Sequence, residues 1–233
     1  MMRHARGFGL VEIMLALALG LVMSLALTQV FISAKSTYMS QVASANLQQD
    51  ARFVLSKMIE ELRRVGMSGC LANIRDASLG GQFSSAIKTP VQWDARQQSL
   101  SLISAVVGNG SAWHTWVIHT DCASSATAWS RGRAPRLAPG ETALPIHQQV
   151  YRFNERRGEL TLNGQPLLSN VRAFTVLFGV ADRGNEPGIA RYTAQPDTGM
   201  IRSVRLTLTL FDPDDRTQEQ TFKVVAAIRN RLG

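Results

Sequence analysis

A long apolar run near the N-terminus passes without a break into a second helical stretch of different character. From Phe8 to Ile32 the sequence reads FGLVEIMLALALGLVMSLALTQVFI, with Glu12 as its one ionisable residue. About 20 such residues suffice to cross the hydrocarbon core of a bilayer as a helix. From Lys35 to Val65 neither proline nor glycine occurs, as an uninterrupted helix requires. Residues 8 to 65 therefore predict one helix, roughly 87 Å long at ~1.5 Å per residue.

The two halves of that helix have different needs. The first is apolar all round and must be surrounded by lipid or by other helices. In the second, Leu47, Ala51, Val54, Leu55, Met58, Leu62 and Val65 recur at steps of three and four and mark one apolar face. Gln48, Gln49, Asp50, Arg52, Lys57, Glu60, Glu61, Arg63 and Arg64 fill the other positions, so this half needs cover along a single stripe. Gly66 and Gly69 supply the stop, with Arg63 and Arg64 in the last turn where they complement the helix dipole.

Arg3 and Arg6 lie on the N-terminal side of the apolar run only. That asymmetry keeps the first residues in the cytoplasm and sends the rest of the chain across the membrane. An ordinary secretory signal would have a shorter apolar core followed by a small-x-small cleavage site. Here Ser33 and Ala34 lead instead into more helix-forming sequence.

After Gly69 the periodicity changes. Ser99 to Val107, Trp113 to Thr120, Gln149 to Asn154, Glu159 to Leu162, Val171 to Val180, Ile201 to Leu210 and Gln220 to Ile228 read as strands. Ser203 to Leu210 alternates polar with apolar, as a sheet covered on one face should. Asn163-Gly164 is a hairpin signal. Leu71 to Pro90 and Ala123 to Pro145, rich in Ser, Ala, Gly and Pro, read as irregular. The expected architecture is α+β, with an antiparallel β-sheet covering the amphipathic half of the helix.

Cys70 and Cys122 fall on the far side of the membrane from Arg3 and Arg6. In an oxidising compartment an isolated pair forms a disulfide, and neither cysteine belongs to a C-x-x-C motif. Closing a loop of this size contributes ~4 kcal/mol on the loop-entropy account. The net charge of +8 raises the question of nucleic acid. The basic residues are scattered, however, apart from short groups such as Arg131/Arg133/Arg136 and Arg229/Arg231, and no basic stripe interleaved with aromatics occurs. A basic surface is the reading taken, and nucleic acid is not expected as a partner.

The most informative string is Gly7-Phe8-Gly9-Leu10-Val11-Glu12. It resembles the class III signal of type IV prepilins and of the pseudopilins of type II secretion. In that family a short basic leader ends in glycine, the mature chain starts with an apolar residue, and glutamate stands fifth after the cut. The resemblance implies that prepilin peptidase cuts between Gly7 and Phe8 and N-methylates Phe8. The type IV pilin fold follows as an expectation, with 1–7 as leader, 8–66 as membrane and filament helix and 67–233 as a β-rich periplasmic head.

Glu12 stands inside the apolar run. A carboxylate inside a membrane helix is costly and marks function. Cleavage after Gly7 would create an α-amino group one turn away. Pairing Glu12 with that amine on a neighbouring subunit offsets part of the desolvation of both and fixes the axial step between helices. Many major pilins carry a proline part-way along the apolar helix; here Gly20 is present, and no proline lies between Phe8 and Ile32.

The stretch Gln165 to Val180, the Asp182/Asn185/Glu186 loop with Arg191-Tyr192, and the closing Ala226 to Arg231 resemble the PilW group of minor pilins and, more distantly, J-type pseudopilins. The resemblance implies assembly with other minor pilins and the major pilin, an inner-membrane assembly platform, a large tip adhesin, and lipid around residues 8–32. It also implies an inner-membrane location before assembly and a pilus location after it. The rival readings are a J-type pseudopilin, a DNA-binding competence pilin and an anchored enzyme. No catalytic motif supports the last: His4, His114, His119 and His147 are the only histidines, and no Gly-x-Ser-x-Gly, His-Glu-x-x-His or P-loop occurs. No cofactor is expected. Asp212, Asp214, Asp215 and Glu219 partly suggest a calcium loop, but Pro213 and a missing glycine weaken it, and no metal site is assigned.

Overall fold

In the computed structural model, residues 9–106, 114–183, 186 and 188–230 are described. Helix α1 spans Leu10–Arg64, 55 residues, with Gly20 as its one glycine and no proline. Every residue from Leu10 to Met39 is exposed; Ala43 is the first to be buried, and from there Leu47, Ala51, Val54, Leu55, Met58 and Leu62 enter the core. The expected division of the helix into an uncovered half and a half buried along one stripe is thus observed. The helix ends at Val65, and Gly66 takes the left-handed conformation (φ 77°) that a residue with a Cβ disfavours. Gly66 N–H then donates to the Ile103 carbonyl (3.1 Å), and Ala105 N–H to that of Met67 (2.9 Å), so the chain leaves the helix stitched to a sheet.

The remaining elements are β1 (Arg75–Asp76), α2 (Gln82–Ile87), β2 (Val91–Asp94), β3 (Ser99–Ala105), β4 (Trp116–Thr120), β5 (Ala126–Ser130), β6 (Thr142–Asn154), β7 (Glu159–Leu162), β8 (Gln165–Leu168), β9 (Val171–Val180), β10 (Arg191–Thr193), β11 (Ile201–Leu210) and β12 (Gln220–Ala227). They form two sheets. The larger has the order β1-β5-β4-β6-β3-β2, with β7 and β8 continuing from β6; the smaller has the order β10-β9-β11-β12. One core joins α1 to both sheets, and Trp93 meets Phe174 edge-on across them at 5.9 Å between ring centroids. A second core lies where Phe83 of α2 covers Trp116, Ile118, Ala128 and Ile146.

Three expectations need correction. The larger sheet is mixed, because β1 pairs parallel with β5. The stretch 71–90 contains β1 and α2, and 123–145 contains β5 and the first residues of β6. These pieces escape periodicity because they are short. α2 is instead set up by caps, with Ser78 Oγ accepting from Phe83 N–H (3.0 Å) and Asp76 from Ser84 N–H (2.7 Å). Pro145 reads as a strand breaker, yet β6 runs through it while its carbonyl accepts from Val106 N–H (2.9 Å). The expected strands at 99–107 and 113–120 begin or end in residues outside those described. The Asn163-Gly164 hairpin is present, with φ values of 51° and 82° at the two turn residues, as a type I′ turn demands.

Candidate functional site

The surface with the clearest functional character is the bare half of α1. Between Leu10 and Ala34, Glu12 is the one ionisable side chain. It lies exposed in the first helical turn, with its N–H bonded to the Gly9 carbonyl (3.0 Å). Further along, Thr28 Oγ1 donates to the Ser24 carbonyl (2.8 Å) and Thr37 Oγ1 to that of Ser33 (3.0 Å). Those two hydroxyls are satisfied within the helix itself. It is long and apolar enough to cross a membrane. Gly7 and Phe8, the residues of the expected cleavage and methylation, lie outside the described residues.

The buried half of α1 is gripped by a polar cluster that the periodicity argument misassigns. Glu61, expected on the polar side, is only 3% exposed. The Tyr151 hydroxyl on β6 donates to its carboxylate, and Lys57 Nζ approaches the other oxygen at 2.8 Å. Turned so that its nitrogen faces the carboxylate, the Gln149 amide donates to it as well. Burial first, and then the Glu61 charge and hydrogen bond, push the Tyr151 phenol far above its ordinary range. The available signal was positional: Glu61 sits three residues from Met58 and four from Val65, at the margin of the apolar stripe.

Cys70 and Cys122 are joined as a disulfide, with Cα atoms 5.3 Å apart, tying the segment after the helix to the turn between β4 and β5. Beside it Asp121 is held well below the usual carboxylate range, chiefly by the Ser124 hydroxyl and then by backbone N–H groups of the turn. Asp212, considered for calcium, is instead committed to Arg216. Its carboxylate accepts from the Arg216 backbone N–H (2.7 Å), Nε (2.9 Å) and Nη2 (2.7 Å), which hold it down at about 2. Among the described residues no group of three or more His, Cys, Asp or Glu side chains could hold a metal ion. His119 is buried within β4, while His147 on β6 is held below the usual imidazole range by burial and then by neighbouring His114. Nothing in these contacts couples a nucleophile to a base.

Comparison with curated proteins and with solved structures returned no match. Residues 2–28 match the family model described as the prokaryotic N-terminal methylation motif, a stretch that includes Gly7, Phe8 and Glu12. This prepilin-type signal points to a structural protein that interacts with other pilins and with prepilin peptidase. Carried on a long apolar helix with a β-rich head, it makes the chain type IV pilin-like in both its N-terminal signal and its α+β fold.

Proposed function

We propose that this chain is a minor pilin of the PilW group that helps initiate a type IV pilus as part of its tip complex, and so supports adhesion and twitching motility. The reading rests above all on one coincidence. The methylation motif at 2–28 opens a helix that stays uncovered to Met39 and then docks into its own head. Such a helix needs lipid before assembly and neighbouring helices after it. In this reading residues 1–7 are a cytoplasmic leader cut between Gly7 and Phe8, and 8–66 form the single membrane span and filament helix. Residues 67–233 form a periplasmic head stapled by Cys70–Cys122. The partners are other minor pilins, the major pilin, the inner-membrane assembly platform and a large tip adhesin.

Deletion of the gene tests this against the J-type pseudopilin alternative. Loss of surface pili and twitching with unchanged secretion of extracellular enzymes is the expected result. Intact piliation with blocked secretion would instead assign the chain to a secretion pseudopilus.

A further inference from the structure

Sheet edges hold a fold's unfilled backbone hydrogen bonds, and β12 is a long edge: it spans Gln220–Ala227 and, among the described residues, pairs with β11 alone. The register from Leu210↔Gln220 to Ser203↔Ala227 has no slip, and Ile228 N–H donates to the Arg202 carbonyl one step further on (2.9 Å). Bonded and non-bonded pairs alternate in an antiparallel ladder. Phe222, Val224 and Ala226 therefore bond inward to β11, whereas the N–H and C=O groups of Thr221, Lys223 and Val225 point away from the sheet. Native sheets keep such edges short or guard them, because they are templates for another strand.

Next to this edge runs a groove of about 520 Å³ between β12 and α1, where Leu55, Ile59, Phe222 and Val224 supply apolar lining beside Arg52 and Lys223. Lys223 is exposed on the face of β12 turned away from α1, and 220–227 contains no carboxylate. We propose that β12 receives an extended, acidic strand from a partner protein. The backbone of the incoming strand bonds to Thr221, Lys223 and Val225, its alternate apolar side chains enter the groove, and its carboxylates, on the opposite face, meet Lys223. A second copy of β12 would bring a second Lys223 to the same edge, so the charge favours an acidic partner over self-pairing. This inference stands apart from the pilus reading, since it uses only the edge and the groove.

The test is amide hydrogen exchange on the full-length chain in detergent micelles, with an octapeptide of alternating valine and glutamate as probe and one of alternating valine and lysine as control. Exchange at Thr221, Lys223 and Val225 should slow at least tenfold with the glutamate peptide and remain unchanged with the lysine peptide. Val225→Pro removes one outward N–H without touching the bonds to β11, and should abolish the effect while core amides of β11 stay protected. Lys223→Glu, which leaves the backbone alone, should weaken the glutamate peptide and favour the lysine peptide. No slowing by the glutamate peptide, or equal slowing by both, would overturn the proposal. Slowing that appears with protein concentration alone would overturn it too, in favour of self-pairing.

Discussion

Tyr151 donates its hydroxyl to the Glu61 carboxylate across 90 residues of sequence, joining β6 to α1 inside the core. The bond sets where the long helix sits on its head, because the carboxylate finds buried partners at one axial position of α1. Apolar packing alone would resist sliding less sharply, since one aliphatic side chain replaces another at small cost.

Tyr151→Phe leaves Glu61 buried with fewer donors, and should destabilise the head by about 1–3 kcal/mol, the usual cost of an unsatisfied buried group. Adding Glu61→Leu removes the stranded charge, so the double variant should be more stable than the sum of the single changes implies. Chemical denaturation of the four proteins in the cycle measures this coupling.

The same pair sets an alkaline limit. Tyr151 is raised in the folded state, so the native protein keeps the phenol proton that the unfolded chain loses above pH ~10. Its stabilising effect is fully present below that pH and is lost progressively as pH rises beyond it. Unfolding followed from pH 8 to 12 should show this decline, and Tyr151→Phe should flatten it.

For Cys70 and Cys122 the expectation is that non-reducing thiol labelling of the exported protein finds no free thiol. Reduction should lower stability by up to ~4 kcal/mol on the loop-entropy account. Two freely alkylated cysteines would refute the pairing.

The helix and the longer strands were legible because each repeats a period over many residues. Val171–Val180 and Ile201–Leu210 run between the residues that the alternation marks. The division of α1 was legible for the same reason. The parallel β1–β5 pair and α2 were not, since two to six residues carry no period and their placement comes from caps and long-range pairing. Glu61 was misread because a helical wheel assigns charge to the outside, and only the fold reveals that Tyr151 and Gln149 wait opposite it. Gly7, Phe8 and Glu12 are the reverse case: their meaning lies in the sequence string, and among the described residues Glu12 has no partner beyond its own turn.

If Glu12 pairs with a neighbour's terminal amine, Glu12→Ala should insert and be cleaved normally, since neither step needs the carboxylate. Association with partner subunits should then fall sharply, because removing one member of a buried pair costs about 3–5 kcal/mol. Cross-linking between cysteines engineered into the apolar helices reports this directly. Undiminished cross-linking and normal piliation would show Glu12 to be a hydrated interfacial residue.

If the N-terminal string is a working prepilin signal, the mass of the mature N-terminus records it. Intact-protein and N-terminal peptide mass spectrometry should find a chain that begins at Phe8 and carries an N-methyl group. Gly7→Ala, or a bulkier residue at that position, should leave the precursor uncut and excluded from filaments. A mature terminus beyond Ser33 would rule out prepilin processing, because the helix that carries the proposed function would then have been discarded as an ordinary export signal.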